Sequence, residues 1–138
     1  MQPVNLLMVD DEQDFLRTME KRLSRRGMNV ATASSGAEAL DRLEQFSADV
    51  VVLDVKMPGM DGIETLKAIR QKHPLTEVIM LTGHASMNVA VEGMQLGAFH
   101  YLMKPAEINE LVFKIEDAHK RKMLREKQVR EDQPNNVR

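Results

Sequence analysis

The 138-residue sequence contains no cysteine. Disulfides, thiolate nucleophiles and Cys-ligated metal centres are therefore excluded. A long apolar stretch is also missing. The first run, Leu6-Leu7-Met8-Val9, stops at Asp10-Asp11-Glu12 and is far too short for a signal peptide or a membrane span. A soluble cytoplasmic protein with no membrane contact is the expectation. Charge of one sign is lacking as well: a net charge of −2 argues against direct nucleic-acid binding by the whole domain. Neither GxGxxG nor GxxxxGKS/T occurs, so a dinucleotide fold or a P-loop would have no phosphate-binding loop. His73, His84, His100 and His119 are scattered without metal-ligand spacing and read as surface or loop residues. The 11 methionines are spread over the whole chain, which fits core filler better than an exposed binding groove.

What is present is a series of short apolar runs separated by helical patterns. The length suits one domain with a single core. The runs cover residues 4–9, 28–33, 50–54, 78–81 and 98–103. Val50-Val51-Val52-Leu53 is continuous and β-branched, as expected for a strand buried on both faces of a parallel sheet. The 28–33 run is less apolar and reads as an edge strand. Between the runs, apolar residues recur at helical spacing: Phe15, Leu16, Met19 and Leu23; Ala39, Leu40, Leu43 and Phe46; Ile63, Leu66 and Ile69; Val89, Ala90 and Met94; Ile108, Leu111, Val112, Ile115 and Ala118. Asp11 and Asp61 stand where helix N-caps are expected, Pro58-Gly59 signals a turn, and Gly27 and Gly97 supply stops. Five strands alternating with five helices predict an α/β (βα)5 fold, a doubly wound parallel sheet with helices on both faces.

Four of the five runs end in a polar group able to do chemistry: Asp10-Asp11, Asp54, Thr82 and Lys104. Parallel strands put all their carboxyl ends on one side, so these residues are expected to share a crevice. Two carboxylates about 4 Å apart repel by ~4 kcal/mol at an effective dielectric near 20. Three ionised ones therefore need a shared proton or a compensating cation. All-oxygen ligation favours a hard divalent ion, Mg²⁺ ahead of Zn²⁺ or copper. Mg²⁺ beside a carboxylate, a lysine and a hydroxyl suits phosphoryl transfer, with Asp54 as nucleophile.

Over about residues 3–120 the sequence resembles the receiver domain of bacterial two-component response regulators. The resemblance rests on Asp10-Asp11-Glu12, Asp54 through Gly62, Leu81-Thr82-Gly83 and Tyr101-Leu102-Met103-Lys104-Pro105, taken in their order and spacing. It implies a flavodoxin-like five-stranded sheet of order 2-1-3-4-5. It also implies that Asp54 is the phosphoacceptor. Asp11, Asp54 and the Lys56 main-chain carbonyl would ligate Mg²⁺, with Asp10 acting through water. Thr82 and Lys104 would grip the phosphoryl group, Tyr101 would be an aromatic switch, and Lys104-Pro105 a cis peptide. A sensor histidine kinase or phosphotransfer protein is the implied donor, and the implied catalysis is limited to self-phosphorylation and autodephosphorylation. The signal would leave through a changed surface to a downstream effector protein or a fused output domain, with a homodimer on phosphorylation as a further outcome.

Bland readings stand beside these. Asp11 is explained by capping, Thr82 by an ordinary strand-end hydroxyl, and Tyr101, the only tyrosine, by a half-exposed strand position. Rival functions are a Mg²⁺-dependent phosphatase working through an aspartyl intermediate, and an interaction module that never uses phosphorylation. The domain division expected is a receiver over residues 1–120 and a charged helical extension with a flexible tail over 121–138. From Asp117 onward the chain carries +3 against −5 for the remainder. Pairs such as Glu116–Lys120, Asp117–Arg121 and Glu126–Arg130 are spaced to support a solvated helix there. Such a domain either stands alone or is a receiver taken from a larger transcriptional or ATPase regulator.

Overall fold

The Val50–Leu53 run forms β3 (Val50–Asp54), buried at every position and lying at the centre of a five-stranded sheet. Three consecutive valines favour the extended backbone, and burial on both faces removes any need for alternation. The computed structural model describes residues 2–57 and 61–132. The expected Pro58-Gly59 turn and the tail from residue 133 lie outside the described residues.

Around β3 the elements follow in strict alternation: β1 (Asn5–Val9), α1 (Gln13–Arg25), β2 (Asn29–Ala33), α2 (Gly36–Leu43), α3 (Gly62–Lys72), β4 (Glu77–Thr82), α4 (Met87–Gln95), β5 (His100–Met103) and α5 (Ile108–Asp132). A single 3₁₀ turn, His84–Ser86, precedes α4. All strand pairs are parallel and the order is β2-β1-β3-β4-β5, the doubly wound flavodoxin-like arrangement that the sequence implied.

Alternate strand residues feed two cores. Leu6, Met8, Val50, Val52, Ile79 and Leu81 pack with Leu16, Met19 and Leu23 of α1 and Leu111 and Ile115 of α5. Leu7, Val9, Val51, Leu53, Val78 and Met80 pack against Leu43 of α2, Leu66 and Ile69 of α3 and Ala90 of α4. β2 is the half-buried edge strand expected from its weaker apolar character. Gly27 ends α1 with φ +87°, a left-handed conformation that glycine adopts without penalty.

α5 continues without a break across residue 120, and its far half is tied to the amino-terminal rim of the sheet. The Glu77 side chain, 1% exposed, accepts a hydrogen bond from Arg125 Nη1 at 2.9 Å and pairs with Arg121 Nε at 3.3 Å. Lys122 Nζ lies 2.8 Å from Asp49 Oδ1 and 2.9 Å from Glu126 Oε2. Arg121, though exposed, thus meets Glu77 of β4, where helical spacing had set it against Asp117. His119 is buried, with Nε2 3.6 Å from Asp49 Oδ2, which corrects its reading as a surface or loop residue.

The turn into α3 depends on contact between backbones. Asp61 caps the helix as expected, accepting from the Glu64 N–H at 2.9 Å. The Gly62 N–H donates to the Val55 carbonyl at 3.1 Å, and a Cβ on Gly62 would lie 2.7 Å from both Val55 Cα and Val55 O. Gly62→Ala is expected to lower stability by about 1–3 kcal/mol through this overpacking. Gly83→Ala, where a Cβ meets nothing within 4 Å, should change it by less than about 0.5 kcal/mol. Denaturant midpoints of the two variants check the contrast.

Candidate functional site

The carboxyl ends of β1 and β3 bring three aspartates together. Asp10 follows β1 directly, its N–H still held by the Ala33 carbonyl of β2 at 3.1 Å. Its side chain is fully buried, and Oδ1 accepts from the Glu12 N–H at 2.9 Å, which turns the chain into α1. Asp11 is exposed. Glu12, not Asp11, occupies the N-cap of α1, and no side chain caps that helix end. The capping expected of Asp11 is therefore absent, and its carboxylate is left for other work. Asp54 closes β3, 6% exposed, with Oδ1 accepting from the Lys56 N–H at 3.3 Å. Asp10, Asp11 and Asp54 each offer a carboxylate oxygen within 4.8 Å of the others.

Lys104 arrives from the other side, just past β5. Its N–H donates to the Thr82 carbonyl at 2.8 Å, and the Lys104–Pro105 peptide is cis. The ammonium donates to Asp10 Oδ2 at 3.0 Å and lies 3.4 Å from Asp54 Oδ1. It also stands over the Phe15 ring, 5.2 Å from its centroid. Thr82 is buried at the end of β4, its hydroxyl donating to the Gly83 carbonyl at 3.1 Å. Asp11, Glu12, Asp54, Lys56, Gly83, Ala85, Ser86 and Lys104 line a shallow crevice above the sheet. Thr82 is not one of these lining residues. Tyr101 is half-buried opposite Met80, its ring 5.6 Å from that of His100.

The electrostatics of the cluster are lopsided. Burial raises the Asp54 pKa, and the Asp10 charge pushes it further. Lys104 and the Lys56 N–H pull it back without cancelling the rise. Burial opposes the Lys104 ammonium, but its hydrogen bond to Asp10 and the charges of Asp54 and Asp10 outweigh that, so its pKa is raised. One ammonium faces three carboxylates. The donor set is oxygen throughout, which suits a hard divalent cation that completes its shell with water or phosphate. Mg²⁺ therefore fits the residues present.

Of the residues expected to share a crevice, the structure brings Asp10, Asp11, Asp54 and Lys104 together, while Thr82 is buried at the end of β4 and is not part of the lining. Sequence reasoning missed Glu12, Ala85 and Ser86 in the crevice wall. It also read Phe15 only as a core residue of α1.

Set beside known proteins, this geometry has close company. The family model for the response regulator receiver domain matches residues 6–116, and the chain belongs to that family. Among curated proteins it is 42% identical over 110 residues to the DNA-binding transcriptional regulator NtrC of Escherichia coli strain K12, covering 80% of this chain and 24% of NtrC. It is 44% identical over 131 residues to the transcriptional regulatory protein CpxR of the same organism, covering 95% of this chain and 53% of CpxR. The chain thus spans about a quarter of NtrC and about half of CpxR. The crystal structure of a response regulator receiver domain protein from Clostridium thermocellum superposes with a TM-score of 0.84 at 38% identity, covering 88% of this chain and 98% of that one. The low net charge bears on this domain alone, since NtrC carries DNA binding in its name over a far longer chain. Among the described residues, no helix is long and apolar enough to cross a membrane.

In metal-free protein the Asp54 carboxylate is a liability. Its raised pKa means that the folded state holds the proton more tightly than the unfolded chain does. Stability is therefore lost as pH rises from the ordinary carboxylate range through the raised value. Asp54→Asn should raise the stability of metal-free protein at neutral pH, because it removes a carboxylate that burial and the Asp10 charge disfavour. The gap should narrow on acidification, as followed by urea titrations across pH.

Proposed function

We propose that Asp54 accepts a phosphoryl group from a phosphohistidine of a partner kinase or phosphotransfer protein, and that this acceptance switches the surface of the domain. The convergence of three aspartates on one ammonium at a solvent-open crevice carries the reading. An Asp54 carboxylate oxygen attacks phosphorus, a P–O bond forms and the P–N bond to imidazole breaks, and the departing ring nitrogen takes a proton from solvent.

Asp11, Asp54 and the Lys56 main-chain carbonyl would hold Mg²⁺, with Asp10 acting through water. The ion supplies charge neutralisation at the phosphoryl oxygens when bound. Lys104 follows the charge as it moves from the Asp54 carboxylate to those oxygens. Thr82 gives up its hydrogen bond to Gly83 and donates to a phosphoryl oxygen instead. That movement draws on the loop before α4, and Tyr101 on the neighbouring strand turns with it. The face formed by α4, β5 and α5 then presents a different shape to an effector or output domain.

The module turns over no external substrate; it catalyses its own phosphorylation and its loss. Its relatives NtrC and CpxR extend well beyond the matched region, which supports work as the receiver part of a cytoplasmic regulator, with residues 121–132 leading toward a following domain. Dimerisation on phosphorylation fits the same face.

Incubation with Mg²⁺ and a small phosphodonor such as acetyl phosphate should add the mass of one phosphoryl group to the wild type and none to Asp54→Asn. Lys104→Ala should slow the addition by about 10²-fold or more, as expected for removal of a preorganised charge. Thr82→Ala should still be phosphorylated but lose the fluorescence or chemical-shift change at Tyr101. An unchanged mass in the wild type, or incorporation that persists in Asp54→Asn, would overturn the reading.

A further inference from the structure

We propose that Phe15 is a positioning residue for phosphoryl transfer, its ring face holding the Lys104 ammonium in place beside Asp54. This rests on the reading of Asp54 as phosphoacceptor and adds a residue to it. Phe15 stands in the first turn of α1, half-buried against the core shared by α1 and α5. Its ring lies 5.2 Å from Lys104 Nζ, within the distance over which a cation is drawn to the negative face of an aromatic ring.

The geometry explains why a third contact is useful. Lys104 has two carboxylate partners, Asp10 at 3.0 Å and Asp54 at 3.4 Å. During transfer the Asp54 oxygen forms a bond to phosphorus and its charge shifts to the phosphoryl oxygens. Asp10, on the β1 side, is then the one carboxylate contact that stays unchanged while the ammonium turns from Asp54 to the phosphoryl oxygens. The Lys104 side chain is 27% exposed, so an unsupported lysine would sample solvent-facing rotamers. The Phe15 ring is independent of the reaction. It keeps its attraction before, during and after transfer, and it is itself fixed by packing.

An aliphatic residue of similar volume fills the core equally well but has no charged face, which separates the two roles. Phe15→Leu should accept phosphoryl from acetyl phosphate about three- to tenfold more slowly, while Phe15→Tyr stays within about twofold of the wild type. Both should unfold within a few degrees of the wild type. A finer series places mono-, di- and trifluorinated phenylalanine at position 15, withdrawing density from the ring face at nearly constant size. The rate should fall stepwise with each fluorine. A flat series, or equal rates for Phe15→Leu and Phe15→Tyr, would show that Phe15 is core filling only and overturn the inference. If the wild type gains no phosphoryl group at all, the underlying reading of Asp54 fails instead, and the two failures are distinct.

Discussion

Everything at the functional rim follows from a charge imbalance that the chain leaves open. β1 and β3 are adjacent and parallel, so Asp10, Asp11 and Asp54 must end on the same side, separated by little more than one strand spacing of about 4.8 Å. Lys104 answers from β5, which is not adjacent to either. It reaches past the end of β4 to touch Asp54 and Asp10. A lysine is long enough for this, and the small Thr82-Gly83 pair at the end of β4 leaves the path clear. One ammonium is still outnumbered, and that deficit is what makes the crevice receptive to a hard cation.

The opposite rim shows the same sheet with its charges closed. Asp49 and Glu77 are acids at the amino ends of β3 and β4, and α5 supplies Arg121, Lys122 and Arg125 to meet them. With Glu126, which pairs with Lys122, three acids there meet three cations, all within the chain. The two rims thus differ in kind: one uses charge to fasten a long helix, the other leaves acidic charge in excess.

Much of this was legible in the residues because the relevant signals are local. The unbroken Val50–Leu53 run announces a central strand, and runs ending in Asp, Thr and Lys point to a polar rim. Strand order came from the resemblance, since alternation alone does not choose among doubly wound topologies. Three features escaped for physical reasons. Capping preference cannot tell which of two neighbouring aspartates is buried, and it was Asp10 that made the turn into α1. Helical spacing sets Arg121 against Asp117, because it does not register a buried Glu77 across the fold, which Arg121 and Arg125 both meet. Helical periodicity put Phe15 in the core correctly but is blind to a cation arriving from β5.

The central claim is that the three aspartates form a preorganised cation site whose charge deficit a hard divalent ion relieves. Thermal denaturation as a function of Mg²⁺ tests it most directly, because an ion that binds only the folded chain stabilises it by RT ln(1 + [Mg²⁺]/Kd). The account predicts a rising midpoint for the wild type that follows this curve, and a shift largely abolished in Asp11→Ala and reduced in Asp54→Asn. Equal shifts in all three proteins, or none in the wild type, would contradict it.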